Sequence, residues 1–432
     1  MSLPRFTMAA VLLSLLAGCA ETPFRLAMLE DTSEAEEADA GDDRIPRLNS
    51  SADGDLIETL LADYFRSLES DVVPVQTAMA PAPAPEAVGA EPVQRLSGKG
   101  IRVIPVGPPR HHKNGLWHYV KERLELARWN HESVEAELAG FRDRPARVRG
   151  LAKRAEPFLH YLVGEVERRG LPLDLVLVPM VESACDPSAL SAKTAAGLWQ
   201  LIPATGQRFG VEMAADYDGR YDIHASTAAA LSYLQHLHSR FQGDWLLALA
   251  AYNAGEGAVQ HAIASNRAAG RRTDFWSLPL PPETRSYVPK ILALSRVLAG
   301  PDRYGLKLEP VPGTPALARV EIEPGIRPAD VGNAAGLPEP VFKLLNPALK
   351  SLHDAPQRKY GLMLPLKNAQ AMAASLEGAE LVSAKTVVVK KGETLAAIAK
   401  RVGVSETALA GWNGLMPNSR LKPGQELLVY PA

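Results

Sequence analysis

Glu182 closes an almost unbroken apolar run, LPLDLVLVPMVE. A carboxylate there loses hydration, which disfavours its charged form and raises its pKa unless a partner compensates. A carboxyl group that keeps its proton near neutral pH can act as a general acid, the role needed to protonate a glycosidic oxygen. The same pattern fits a structural glutamate bonded inside a helix junction, or one that points outward. Ser183, Ala184, Cys185, Asp186 and Pro187 bring turn chemistry directly after the carboxylate, so Glu182 sits where a helix opens into a loop. GLWQ then supplies the amide of Gln200 on a resumed helix. LLALAAYNAGEG repeats the arrangement, with an apolar helix that ends in Tyr252 and Asn253 before glycines. Two such helix ends could line one cleft; equally, Asn and Gly could merely provide a left-handed helix end.

Helical patterns surround these residues. In LAKRAEPFLHYLVGEVERRG the residues Leu151, Ala155, Phe158, Leu162 and Val166 share one face. Gly170 and Pro172 then stop and restart the helix. Further helices are predicted around 226–241, 245–252, 256–264 and 284–298. No run of alternating strands occurs between 115 and 300, so a domain over 115–305 is expected to be all-α.

Beyond residue 315 the pattern changes to a repeat. Gly325, Gly336 and Asn346 are spaced as are Gly392, Gly403 and Asn413, by 11 and then 10 residues. Each copy opens and closes on an apolar strand, with two short helical patterns between. Two small α+β modules of the βααβ type are expected, over 315–368 and 384–431.

The front of the chain has a different character. MAAVLLSLLAG is too short to span a bilayer and has the length of a signal-peptide apolar region. It ends in Leu16-Ala17-Gly18-Cys19, which resembles the bacterial lipobox and implies a signal peptide over 1–18 and lipidation of Cys19. Ala20 after the cysteine implies, by that resemblance, the outer rather than the inner membrane. Several acyl chains on one residue anchor stably, whereas one short chain does not. The segment 19–114, acidic at first and then rich in Pro and Ala, reads as a disordered tether, with one piece, LIETLLADYFRSL, able to form a helix. Cys19 and Cys185 are the only cysteines, so no disulfide framework is available and Cys185 reads as a small buried hydrophobe.

The 432 residues carry 46% apolar and 22% charged side chains with a formal net charge of −2, which gives no basis for nucleic-acid binding. His236 and His238 stand two apart on a helix and face different ways, the wrong spacing for zinc. GEGAVQ lacks the strand and third glycine of a dinucleotide loop. Neither a cofactor nor a metal is expected.

Together, ES with Pro187, GLWQLIP followed by TG, and AYNAGEG resemble, in order, the three motifs of the lytic transglycosylase domain related to goose-type lysozyme. RRGLPLDLVLVPMVESACDPSALSAKTAAGLWQLIPATG and DFWSLPLPPETRSYVPKILA are similar to the membrane-bound lytic murein transglycosylase D branch of that family. The resemblance implies an all-α lysozyme-like domain, with Glu182 as catalytic acid and base. It further implies saccharide contacts from Ser183, Ser191, Gln200, Tyr252, Asn253 and Tyr287. No second carboxylate comes with the motifs. In the family's mechanism the acetamido oxygen of N-acetylmuramic acid takes that part, and Glu182 then draws the proton of the 6-hydroxyl as a 1,6-anhydro ring closes. Asp186 reads as a cap of the turn before Pro187. The second repeat, with KKGETLAAIAKRVGV, WNGL and LKPGQELLV, resembles the LysM domain. That implies a peptidoglycan-binding groove lined by Gly392, Glu393, Thr394 and Leu395. The first repeat reads PGIRP where the GETL turn would stand and is a degenerate LysM-like module. Two other functions remain open on the sequence: a lysozyme-like hydrolase in which Asp186 or Asp222 positions water, and a peptidoglycan-binding lipoprotein without activity.

Overall fold

The computed structural model describes residues 52–69, 96–106, 115–313, 315–382, 385–406, 409–410, 413, 415 and 419–429. The expected signal peptide and Cys19 lie outside the described residues. No helix among the described residues is long and apolar enough to cross a membrane.

Helices α1 (Ala52–Glu69), α2 (Leu116–Lys121), α3 (Glu132–Asp143), α4 (Pro145–Arg168), α5 (Val178–Glu182), α6 (Pro203–Arg208), α7 (Ile223–Arg240), α8 (Trp245–Ala254), α9 (Glu256–Ala268) and α10 (Pro282–Ala299) carry the first part of the chain. Local chemistry sets where they begin. Asp222 accepts from Ala225 N at the start of α7, and Asp244 accepts from Leu246 N and Leu247 N at the start of α8. The core gathers round α10, where Val288, Ile291, Leu292, Ala293 and Leu294 are fully buried. Ala248, Leu249, Ala250 and Ala251 of α8 are equally buried, and the three alanines let the neighbouring helices approach closely. Asp174, also fully buried, accepts from Glu125 N, Leu126 N and the Ser295 hydroxyl, and so ties three segments together.

The second part holds β2 (Leu317–Ile322), α11 (Pro328–Ala334), α12 (Glu339–Leu345), β3 (Tyr360–Pro365), α13 (Leu366–Ser375) and β4 (Glu380–Leu381), followed by β5 (Lys385–Val388), α14 (Leu395–Val402) and β6 (Glu426–Val429). The two modules share one internal device. Asn346 donates to Phe342 O (3.0 Å) and Met363 O (3.0 Å) and accepts from Met363 N (2.6 Å). Asn413 donates to Leu409 O (2.8 Å) and Leu428 O (2.7 Å) and accepts from Leu428 N (2.7 Å). In each copy a buried amide stitches a helix end to the closing strand, which explains why asparagine punctuates both repeats.

The expectation of a disordered tether over 19–114 is corrected in two places. Helix α1 buries Leu61 and Phe65 against the body, and Arg66 grips Glu156 of α4 with bonds of 2.7 and 3.1 Å. Strand β1 (Ile101–Pro105) lies inside a four-stranded sheet of order β3-β2-β1-β4, antiparallel to β2 with Val103 opposite Val320. Its partners stand more than 200 positions away, so nothing local in IRVIP marks it as a sheet member. Ile101, Val103 and Ile104 are 1%, 0% and 6% exposed. A chain starting at Gly115 is therefore expected to lose about 4–6 kcal/mol from these side chains alone. A urea-unfolding midpoint equal to that of the full chain would contradict the assignment.

Candidate active site

Glu182 is the last residue of α5, and its helix is continuous with a 3₁₀ turn over Leu173–Leu177 whose residues are buried throughout. Its carboxylate opens into a cleft of about 670 Å³ that also takes in Ser191, Gln200, Tyr252, Asn253 and Tyr287. The Tyr287 hydroxyl donates to Glu182 Oε1 at 2.6 Å. Burial pushes the Glu182 pKa up to about 7; the Tyr287 bond pulls against it, and the charge of Glu283 adds to the rise. Desolvation thus dominates, as the apolar run before Glu182 requires.

The segment from Glu182 to Gln200 is strained. Ala184, Cys185, Thr194 and Gln200 all have positive φ, at 54°, 62°, 63° and 49°; among the described residues the only other non-glycine with positive φ is Gln242. Each such residue costs on the order of 1 kcal/mol, and the strain persists only because the surroundings hold it. Arg220, 8% exposed, is the main restraint. It donates to Thr194 O (2.5 Å) and Leu201 O (3.3 Å), and Asp218 grips it at 2.7 and 3.0 Å. Trp199 is fully buried, with its indole N–H on Thr227 Oγ1 at 2.8 Å. This pinning corrects the expectation that Gln200 lies on a resumed helix: residues 197–200 form a turn, closed by an Ala196–Leu201 bridge. The Gln200 amide donates to Ala189 O (3.2 Å) and Gly197 O (2.9 Å), so its carbonyl oxygen is what it offers the cleft. Ser191 Oγ accepts from Ala195 N at 3.0 Å, leaving its hydroxyl proton to donate.

Another wall comes from the end of α8 and from α10. Tyr252 packs beside Tyr233, with ring centroids 5.5 Å apart, and donates to Trp199 O at 2.8 Å. Asn253 Oδ1 accepts from the Thr284 hydroxyl at 2.7 Å. Two expected contact residues lie elsewhere. Ser183 is 2% exposed and does not line the cleft; its hydroxyl donates to Leu198 O (2.8 Å) and Pro179 O (3.2 Å), so it locks the Glu182 turn to the Gln200 loop. Leu395 is 2% exposed in the core of the second module, which leaves no side-chain surface for a glycan. Near it, Thr394 caps α14 through Ala397 N, and Glu393 accepts from Lys390 N and pairs with Arg401 at 3.0 Å. Gly392, at φ 82°, forms the turn before them. Cys185 is 3% exposed and its thiol is pushed up to about 12 by burial, as suits a packing residue.

Residues with no individual signal in the sequence complete the cleft. Lys193, Glu283, Thr284 and Lys290 all line it. Glu283 is the one other carboxylate on the cleft wall among the described residues; its side chain is 62% exposed and pairs with Lys193 at 3.4 Å. Asp186 and Asp222 are elsewhere. Asp186 caps its own turn through Ser188, and Asp222 caps α7 and accepts from the Tyr217 hydroxyl at 2.9 Å.

Because the Tyr287 hydroxyl holds the Glu182 pKa down, Tyr287→Phe is expected to raise it. The alkaline limb of kcat/KM should move up by roughly half to one pH unit, the equivalent of about 1 kcal/mol. A pH–rate profile checks this, and a limb that stays in place or moves down would contradict the assigned bond.

Comparison with known proteins gives a consistent picture. The transglycosylase SLT domain matches residues 165–275 and the LysM domain matches residues 387–429. The chain is 39% identical over 327 residues, 73% of this chain and 72% of the relative, to membrane-bound lytic murein transglycosylase D of Escherichia coli K12. Over 112 residues, 26% of this chain and 54% of the relative, it is 53% identical to a putative tributyltin chloride resistance protein of an Alteromonas species. Over 184 residues, 40% of this chain and 28% of the relative, it is 28% identical to the soluble lytic murein transglycosylase of E. coli K12.

Proposed function

The chain belongs to the family of membrane-bound lytic murein transglycosylase D, and on that premise we propose that Glu182 cleaves murein in the cleft described above. The reaction is lytic transglycosylation of the β-1,4 bond between N-acetylmuramic acid and N-acetylglucosamine, leaving 1,6-anhydromuramic acid ends. The observation that carries the reading is a carboxyl group whose pKa is raised to about 7 by burial, on the floor of a cleft that could hold several sugars.

The residues divide the work by what their atoms can do. Protonated Glu182 gives its proton to the leaving oxygen and, now a carboxylate, takes the proton of the 6-hydroxyl as the anhydro ring closes. The Gln200 carbonyl accepts the N–H of an acetamido group and the Ser191 hydroxyl donates to a sugar oxygen. This holds the acetamido oxygen towards the anomeric carbon, where it replaces a second carboxylate. Tyr252 offers its ring as a wall for the sugar, and Asn253 is fixed by Thr284. Ser183 acts by positioning Glu182.

A hydrolase is the competing reading, and the geometry moves its candidate base from Asp186 or Asp222 to Glu283. Product masses separate the two. Digestion of purified sacculi is expected to give muropeptides lighter by one water than their reducing-end counterparts. Reducing-end products alone would establish hydrolysis and sink the transglycosylase reading.

Peptidoglycan holds the enzyme as well as being cut by it, through the module over 384–431. In the first module the segment that stands where the GETL turn would be bonds to its own main chain: Gly325 N donates to Pro356 O and Ala329 N to Leu352 O, both at 2.9 Å. The same loop bonds outward, with Asp218 N on Ala348 O (2.9 Å) and Lys350 N on Asp216 O (3.1 Å). That module therefore braces the Arg220 segment. Lipidation of Cys19 tethers the chain to the periplasmic face of the outer membrane, in the bacterial cell envelope. Cys19→Ala should release the protein into the soluble fraction, and continued membrane association would defeat the anchor.

A further inference from the structure

Besides Ser286, helix α10 lines the cleft with hydrogen-bond donors on successive turns, Thr284, Tyr287 and Lys290. Two have partners across the cleft: Thr284 donates to Asn253 and Tyr287 to Glu182. Lys290 is different. It is 5% exposed and lines the cleft, yet among the described residues its ammonium makes no hydrogen bond and no ion pair. The acids that could have answered it are engaged elsewhere. Glu182 receives Tyr287 (2.6 Å), Glu283 pairs with Lys193 (3.4 Å), and Glu137, on α3, receives the hydroxyl of Ser286 (2.6 Å), one turn before Lys290.

Lysine is rarely found so buried unless paired. The stem of Lys290 is packed away while the residue lines the cleft, so the natural complement of its unpaired ammonium is an anionic oxygen that arrives with the ligand. Murein restricts what that oxygen can be. The N-acetylglucosamine units are neutral, and acidic groups hang only from the lactyl arm of the muramic acid units. On a strand stripped of peptide the group is the lactyl carboxylate itself. On a substituted strand it is a carboxylate of the stem peptide.

We propose that Lys290 forms a carboxylate subsite of the cleft that binds the acidic substituent of a muramic acid unit. The proposal rests on the murein-cleaving reading and adds to it a means of telling muramic acid from a neutral amino sugar. A point charge meeting one oxygen is enough for this, since nothing in the recognition requires the forked geometry of arginine. Lys290 thereby differs from Glu182 and Tyr287: it contributes to binding, not to proton transfer, so its removal should appear in KM.

The test uses the purified full chain and three soluble probes: uncross-linked strands with stem peptides, the same strands after amidase removal of peptides, and N-acetylchitohexaose, which has no carboxylate. Lys290→Met and Lys290→Gln are both compared with Lys290→Arg, two neutral variants guarding against a misfolded one. KM for at least one murein strand is expected to rise about tenfold or more in the neutral variants, with kcat within about twofold. Lys290→Arg should stay within about threefold of wild type, and the Kd for N-acetylchitohexaose should not change. An effect confined to amidase-treated strands assigns the lactyl carboxylate, and one confined to peptide-bearing strands assigns the stem peptide. Unchanged KM on both strands, or an equal loss of affinity for N-acetylchitohexaose, overturns the proposal. A wild-type enzyme that releases no anhydro products would instead overturn the reading beneath it, so the two failures are distinct.

Discussion

Glu182→Gln is expected to lower the rate of murein solubilisation by about 10³–10⁴-fold, because one carboxyl group serves as both acid and base. The amide keeps the size of the side chain and an oxygen for the Tyr287 hydroxyl, so glycan binding should survive. The same substitution is expected to stabilise the protein, in a pH-dependent way. The pKa of Glu182 is raised from 4.5 to about 7 in the folded chain. Below pH 4.5 both folded and unfolded chains hold the proton, and nothing is lost. Between about 4.5 and 7 the unfolded chain releases it while the folded chain retains it, so wild-type stability falls through that window. The shift corresponds to at most about 3 kcal/mol, and solvent reaching the carboxylate through the cleft reduces this to about 1–2 kcal/mol. Thermal unfolding should place Glu182→Gln about 3–6 °C above wild type at pH 8 and level with it at pH 4. A variant less stable than wild type at pH 8 would mean that the carboxylate is not held against its preference.

Gly197→Ala is expected to damage both stability and activity. Gly197 has φ 75°, and a Cβ built on it would lie 2.0 Å from Arg220 O and 2.9 Å from Arg220 C. Both contacts are with backbone, so no side chain can swing aside. The left-handed conformation costs an alanine about 1 kcal/mol and the forced separation of the two loops about 2–3 kcal/mol more. The displacement falls on the segment that carries Ser191 and Gln200, and a shift of about 1 Å there is expected to reduce kcat/KM by at least 10²-fold. Gly257→Ala supplies the control, since a Cβ there meets nothing within 4 Å and the site is in α9. Melting temperatures and turnover of the two variants should diverge. Near-wild-type behaviour of Gly197→Ala would show that the loops do not meet as described.

What is legible in the sequence depends on how far along the chain each signal reaches. Glu182, Tyr252 and Asn253 were legible because each sits where an apolar helix gives way to glycine or turn residues, a pattern contained in a few positions. The helical character of 115–305 was legible for the same reason. GLWQLIP is locally compatible with a helix, and that is what the sequence predicts for Gln200; the turn is imposed from outside by Arg220 and by Trp199 on Thr227. Ser183 and Leu395 lie within functional motifs but point inward, and a motif does not show which way a side chain turns. Strand β1 was missed because its register is set by β2, far along the chain. Lys290 and Glu283 were missed because ETRSYVPK reads as an ordinary amphipathic helix. Only packing decides that the face bearing Tyr287 looks onto the cleft.

All of these features serve one claim, that burial in the cleft keeps Glu182 protonated near neutral pH. The most direct measurement is an NMR titration of the Glu182 side-chain carboxyl carbon, assigned by comparison with Glu182→Gln. A midpoint near 7, moving upward in Tyr287→Phe, is the predicted result. A midpoint near 4.5, the value of a solvated glutamate, would contradict it.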